Sequence, residues 1–180
     1  SLNVIILEAM HLGHGASGRH GGMILPQPPT ESFEIAFDID IHKTTYGLTT
    51  MNIKGIKNLL EEHRIDCDLK LDGFCHSIID EEDIKYYQNY VAKANDAGIP
   101  IELWDAVKTQ EKLGTNHYAA SVYDPNGGSL HAVKFINALK LIAESLGVVI
   151  YENSEVTEII EGKIIQLIVG KQASIVKTRN

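Results

Sequence analysis

The stretch LNVIILEA at residues 2–9 runs directly into HLGHGASGRHGG at residues 11–22. Val4 to Leu7 is a continuous apolar run, the pattern of a strand buried on both faces of a parallel sheet. Glu8 closes that strand. In nucleotide-binding α/β folds an acidic side chain at such a strand end accepts hydrogen bonds from ribose hydroxyls. Alone, Glu8 reads as readily as a surface carboxylate. The loop that follows tips the reading toward a ligand.

His11 to Gly22 holds five glycines in twelve positions, a composition that neither helix nor strand wants. Gly15-Ala16-Ser17-Gly18-Arg19 places small residues where backbone N–H groups and the Ser17 hydroxyl can cradle anionic oxygens. Gly21 and Gly22 leave room for a bulky ring beside the main chain, and Arg19 either offsets phosphate charge or packs over the loop. His11, His14 and His20 cluster here. No carboxylate or thiol spacing completes a metal site, so no metal is expected. His20 reads as a residue that packs on the loop or faces solvent.

Outward from the loop, Pro26, Pro28 and Pro29 exclude regular structure up to Thr30. Phe33 to Ile41 alternates apolar and polar residues, which reads as a strand, although Phe33, Phe37 and Ile41 also suit a helix. Asn52 to Glu62 predicts a helix capped by Asn52. Asp80 is the expected cap of a further helix whose buried face is Ile84, Tyr87, Val91 and Ala94, stopped by Gly98. Ile101–Trp104 reads as a strand, Asp105 as the cap of a short helix ending by Gly114, and Ala119–Tyr123 as another strand. After the turn at 124–128, Ser129 is expected to cap a long helix ended by Gly147. Val148–Tyr151 then reads as a strand pairing in parallel with Val4–Leu7. Val156–Ile160 and Lys163–Val169 form a predicted hairpin about Glu161-Gly162.

The 180 residues suffice to bury a core, and 44% apolar with 22% charged fits a globular chain. A net charge of −8, from 24 acidic and 16 basic residues, disfavours nucleic acid as a partner. No apolar run is long enough for a membrane span, and no signal peptide is read. Cys67 and Cys75 match no C-x-x-C pattern and read as reduced thiols, which makes a cytoplasmic setting the simplest expectation.

IILEA at 5–9, GASGRHGG at 15–22, IDCDLKLDGF at 65–74 and YDPNGGSLHAVKFINALKLIAESLGVVIYENSEV at 123–156 together resemble the D-amino acid oxidase-like family of FAD-dependent amine and amino acid oxidoreductases. The resemblance implies an α/β fold: an incomplete Rossmann-like FAD-binding domain from residues 1–57 and 124–180, and part of an α+β substrate domain from 58–123. It implies that Glu8 binds the adenosine ribose and that Ala16 and Ser17 lie along the FAD phosphates. Arg19, His20, Gly21, Gly22 and Met23 would run toward the flavin, and Val156 would supply backbone near the adenine. It also implies that Phe33–Ile41 is helical or irregular.

Against the family pattern, no strand and G-x-G-x-x-G turn precede Leu2, His20 stands for an Asn, and His131 stands for a Pro. The expectation is therefore an interior stretch of a longer protein. Such a chain would bind FAD weakly or not at all alone, and would self-associate to bury unmatched surface. The substrate would be a small amine or amino acid, oxidised by hydride transfer to the flavin. The alternative is an inactive remnant or noncatalytic α/β scaffold. No catalytic base is assigned.

Overall fold

The computed structural model describes residues 3–26, 39–170 and 174–179, which divide into two compact units. One unit is formed by residues 1–21 and 131–180, the other by residues 22–130. These divisions fall at 21/22 and 130/131, whereas the sequence reading draws domain boundaries at 57/58 and 123/124.

In the first unit, strand β1 (Ile5–Leu7) pairs in parallel with β7 (Val149–Tyr151), in the register Ile5–Val149, Ile6–Ile150, Leu7–Tyr151. This is the pairing expected from the two apolar runs. The expected burial on both faces is not found: Ile5 and Ile6 are each 43% exposed and Val149 46%. The sheet has only these two strands among the described residues, so β1 keeps a bare edge and an open flank. Helix α4 (Ala132–Ser145) precedes β7, and Gly147, at φ +87°, makes the left-handed turn between them.

The cap of α4 differs from expectation. His131, not Ser129, is the N-cap, its Nδ1 accepting from Lys134 N–H at 3.4 Å. Ser129 is held instead in a short strand, where its backbone is already paired. The predicted hairpin forms from β8 (Val156–Ile160) and β9 (Ile164–Val169), and an unpredicted third strand, β10 (Ser174–Arg179), extends it antiparallel.

The second unit is an antiparallel sheet with helices. β3 (Phe74–Ile78) and β4 (Glu102–Asp105) flank β5 (Ala120–Asp124). A separate ladder joins β2 (Met23–Ile24) to β6 (Gly128–Ser129). Helix α2 (Ile84–Asp96) packs Tyr90, Val91 and Ala94 with Ile78, Ala120 and Val122 of the sheet and with Ile99 and Ile101. Asp80 heads a 3-10 turn at Glu81–Asp83 before that helix, without the side-chain bond expected of it. Helix α3 (Ala106–Leu113) follows its reading: Asp105 accepts from Lys108 N–H at 2.8 Å, and Gly114 closes it at φ +72°.

Helix α1 (Ile39–Glu62) starts well before the expected Asn52, which lies mid-helix. Ile39–Ile41 are its first residues rather than strand; Phe33 to Asp38, like Pro28, Pro29 and Thr30, lie outside the described residues. Gly47, Gly55 and four threonines depress helix propensity over this stretch. Burial of His42, Tyr46, Ile53 and Leu60 along one stripe overrides it. Thr44 and Thr49 donate back to the carbonyls of Asp40 and Thr45 at 2.8 and 2.9 Å. Both cysteines are free. Among the described residues no helix is long and apolar enough to cross a membrane.

Candidate functional site

Glu8 and Glu152 each stand one residue beyond the carboxyl end of a parallel strand, β1 and β7. That end of a parallel sheet is where α/β folds bind ligands. Each carboxylate accepts a backbone N–H from the glycine-rich loop: Glu8 Oε1 from Met10 at 2.9 Å, Glu152 Oε1 from Leu12 at 2.7 Å. The main chain is pinned too, Ser154 N–H donating to Glu8 O at 2.8 Å and Asn153 N–H to Met10 O at 2.7 Å. Glu152 went unnoticed in the sequence. Its signal was an acid at a strand end, the same signal that singled out Glu8. Glu8 is half-buried, and among the described residues its Oε2 accepts no bond. That oxygen is available to a vicinal diol.

The loop then turns at Gly13 (φ +76°) and enters a 3-10 turn at Ala16–Gly18. Its glycines do different jobs. A Cβ on Gly18 would fall 2.0 Å from Gly13 O, so Gly18 is required by the loop's closure upon itself. A Cβ on Gly15 or Gly21 would meet nothing within 4 Å. Main chain at those two points stands open to an approaching group, with Ala16 and Ser17 exposed between them.

Arg19 is also exposed, and its Nη2 lies 3.2 Å from His14 Nε2. His14 in turn has its Nδ1 3.2 Å from His11 Nε2. Arg19 thus lies against His14 of the same loop. His20 is exposed. Among the described residues no group of three or more His, Cys, Asp or Glu side chains could hold a metal ion.

Val156 begins β8 two residues after Ser154, the donor to the Glu8 carbonyl. In the same unit a cavity of about 680 Å³ is lined by Ile5, Leu7, Tyr151, Ser154, Val169 and Val176, among others. Gly22 and Met23 belong to the second unit. Gly22 is buried at φ +76°, and a Cβ there would fall 2.0 Å from Leu130 O. Its lack of a side chain lets it pack against Leu130 within its own unit. Met23 is 62% exposed.

Residues 1–178 match the family model described as DAO, FAD dependent oxidoreductase. Among curated proteins, a probable oxidoreductase OrdL of Haemophilus influenzae is 30% identical over 168 residues, covering 88% of this chain and 37% of its own length. Gamma-glutamylputrescine oxidoreductase of Escherichia coli is 28% identical over 176 residues, 87% of this chain and again 37% of its length. The chain therefore spans little over a third of the curated relatives it matches. Among solved structures, L-proline dehydrogenase of P. horikoshii superposes with a TM-score of 0.75 at 20% identity, over 98% of this chain and 44% of its own. Glycine oxidase of Geobacillus kaustophilus gives 0.70 at 22%, over 93% and 45%. At these identities the likeness is one of fold, the Rossmann-like fold of FAD-dependent oxidoreductases.

Proposed function

The chain belongs to the family of FAD dependent oxidoreductases, and on that premise we propose that its first unit holds the adenosine half of FAD in a protein that oxidises a small amine or amino acid. The observation that carries this is Glu8. Its carboxylate sits at the carboxyl end of a parallel strand, with one oxygen tied to Met10 N–H and the other facing no partner among the described residues. Two hydroxyls of a ribose are the natural donors for it. The open main chain at Gly15 and Gly21 fits a bulky anionic ligand running along the loop, since any side chain there would occupy that space.

In this reading Ala16 and Ser17 lie along the pyrophosphate, and Arg19 swings from His14 to offset its charge. The run His20-Gly21-Gly22-Met23 leads toward the isoalloxazine ring. Val156 offers backbone beside the adenine, and the second unit contributes to the substrate domain. When held by Glu8, Ala16, Ser17, Arg19 and Val156, FAD would supply the two-electron acceptor for oxidation of a carbon–nitrogen bond, with dioxygen as the final oxidant. The substrate class follows the relatives, one named for gamma-glutamylputrescine and another for glycine.

Affinity of the 180-residue chain for FAD is expected to be weak. In this reading the donors available to a pyrophosphate are the Ser17 hydroxyl, Arg19 and a three-residue 3-10 turn, and among the described residues β1 is followed by no long helix in the loop up to Gly22. Titration of FAD followed by flavin fluorescence tests the reading. A weak saturable change that Glu8→Gln shifts about tenfold or more to higher concentration is the expected result. A saturable change indifferent to Glu8, or none at all, contradicts it.

A further inference from the structure

Tyr46 lies on α1 in the second unit, 6% exposed, against the turn that joins β5 to β6. Its hydroxyl donates to Asp124 Oδ1 at 3.0 Å and accepts from Asn126 Nδ2 at 2.9 Å. Asp124, 1% exposed, also accepts Asn126 N–H on the same Oδ1 at 2.9 Å. One phenol therefore clasps both a carboxylate and an amide of the turn. Burial pushes the Tyr46 hydroxyl above the ordinary phenol range, which keeps it a donor near neutral pH.

The turn passes its position on. Gly127 O accepts from Gly73 N–H at 3.1 Å. Ser129 exchanges two backbone bonds with Lys70, each 2.8 Å. Gly128 and Ser129 pair with Ile24 and Met23, and Leu130 N–H donates to Gly22 O at 2.9 Å. There is no slack along this path. A Cβ on Gly128 would fall 2.1 Å from Lys70 O, and one on Gly22 would fall 2.0 Å from Leu130 O. A turn that moved would take Gly22 and Met23 with it.

We infer that the Tyr46 hydroxyl is a positioning group for Gly22 and Met23, acting through the Asp124–Gly128 turn. The functional sense of this rests on the reading of that run as the one leading to the flavin. A tyrosine that merely filled the core would contribute through its ring, and its loss of hydroxyl would be felt everywhere or nowhere.

Amide hydrogen exchange read by NMR on the full chain separates these cases, with Tyr46→Phe compared against Val91→Ala. Val91 belongs to the same core but touches no part of the turn's hydrogen bonding. In Tyr46→Phe, exchange at Leu130, Lys70 and Gly73 is expected to quicken about tenfold or more while Val122 in mid-strand is unchanged. Val91→Ala should quicken core and turn alike. Uniform acceleration in Tyr46→Phe, or unchanged exchange at Leu130 and Lys70, overturns the inference. Should Tyr46→Phe not fold, Asn126→Ala removes the turn's amide from the phenol and must give the same local pattern at smaller amplitude; a uniform or null response overturns the inference equally. FAD titration of the same variants judges the flavin reading by itself. Local loosening with unaltered flavin response supports the positioning role and sinks the assignment of the run.

Discussion

Replacing Gly18 by alanine sets the new Cβ 2.0 Å from Gly13 O, 2.8 Å from Gly13 C and 2.9 Å from Gly13 Cα. All three are main-chain atoms, so no rotamer change relieves the clash. Reaching an ordinary contact of 3.4 Å requires a displacement of 1.4 Å, the difference between 3.4 and 2.0. Only a shift of the Gly13 or Gly18 main chain itself relieves the clash. Overpacking of this kind costs about 2 kcal/mol. For a chain of this size that lowers Tm by about 4–8 °C. Gly15→Ala is the matched control, since its Cβ meets nothing within 4 Å. It should melt with the parent chain yet weaken FAD binding, because the added methyl occupies the space assigned to the ligand. Differential scanning calorimetry with parallel FAD titration reads both effects. If Gly18→Ala and Gly15→Ala melt together, the loop does not close on itself as described and the reasoning fails.

His42 and His76 are both held below the usual imidazole range by burial, His42 with its Nε2 3.3 Å from the Tyr90 hydroxyl and His76 with its Nε2 2.9 Å from that of Tyr87. A depressed folded pKa means the unfolded state binds more protons. Their contribution is present above the unfolded value near 6.5 and is lost as pH falls below it. Urea midpoints should therefore drop from pH 7.5 to pH 5.5, and His42→Gln with His76→Gln should flatten that slope; a slope unchanged in the double variant refutes the assignment. Asp105→Ala removes the cap of α3 and should cost about 1 kcal/mol in equilibrium denaturation, whereas Asp80→Ala, which makes no cap bond, should cost well under half of that. Equal costs would show that the two caps are not distinguished as the structure has them.

What the sequence made legible was local and apolar. The runs Val4–Leu7 and Val148–Tyr151, with Gly147 before the second, carried the parallel pairing, and Asp105 with Gly114 bounded α3. What escaped was decided by tertiary partners. Ser129 is a good capping residue by type, but its backbone is claimed by β2 and by Lys70, and the cap falls to His131. The first half of α1 holds Gly47 and four threonines, all poor helix formers, and burial of His42 and Tyr46 offsets them. β3 was missed because Cys75 and His76 hide its alternation, His76 reaching the Tyr87 hydroxyl of α2.

In the candidate site, glycine content announced the loop but not the division of labour within it. Gly18 and Gly22 serve close approach of the chain to itself, while Gly15 and Gly21 leave space outside it. No composition argument separates those roles, because each depends on which carbonyl lies opposite. Glu8 was legible because a strand end is a local feature. Glu152 carries the same feature and was passed over, though it fastens the other side of the loop.

The most direct test of the account is saturation-transfer NMR on FAD in the presence of the chain and of its Glu8→Gln variant. The account predicts strongest saturation on the ribose and adenine protons of the adenosine half, lost in Glu8→Gln. Saturation centred on the isoalloxazine ring, or an adenosine signal that survives Glu8→Gln, would contradict it.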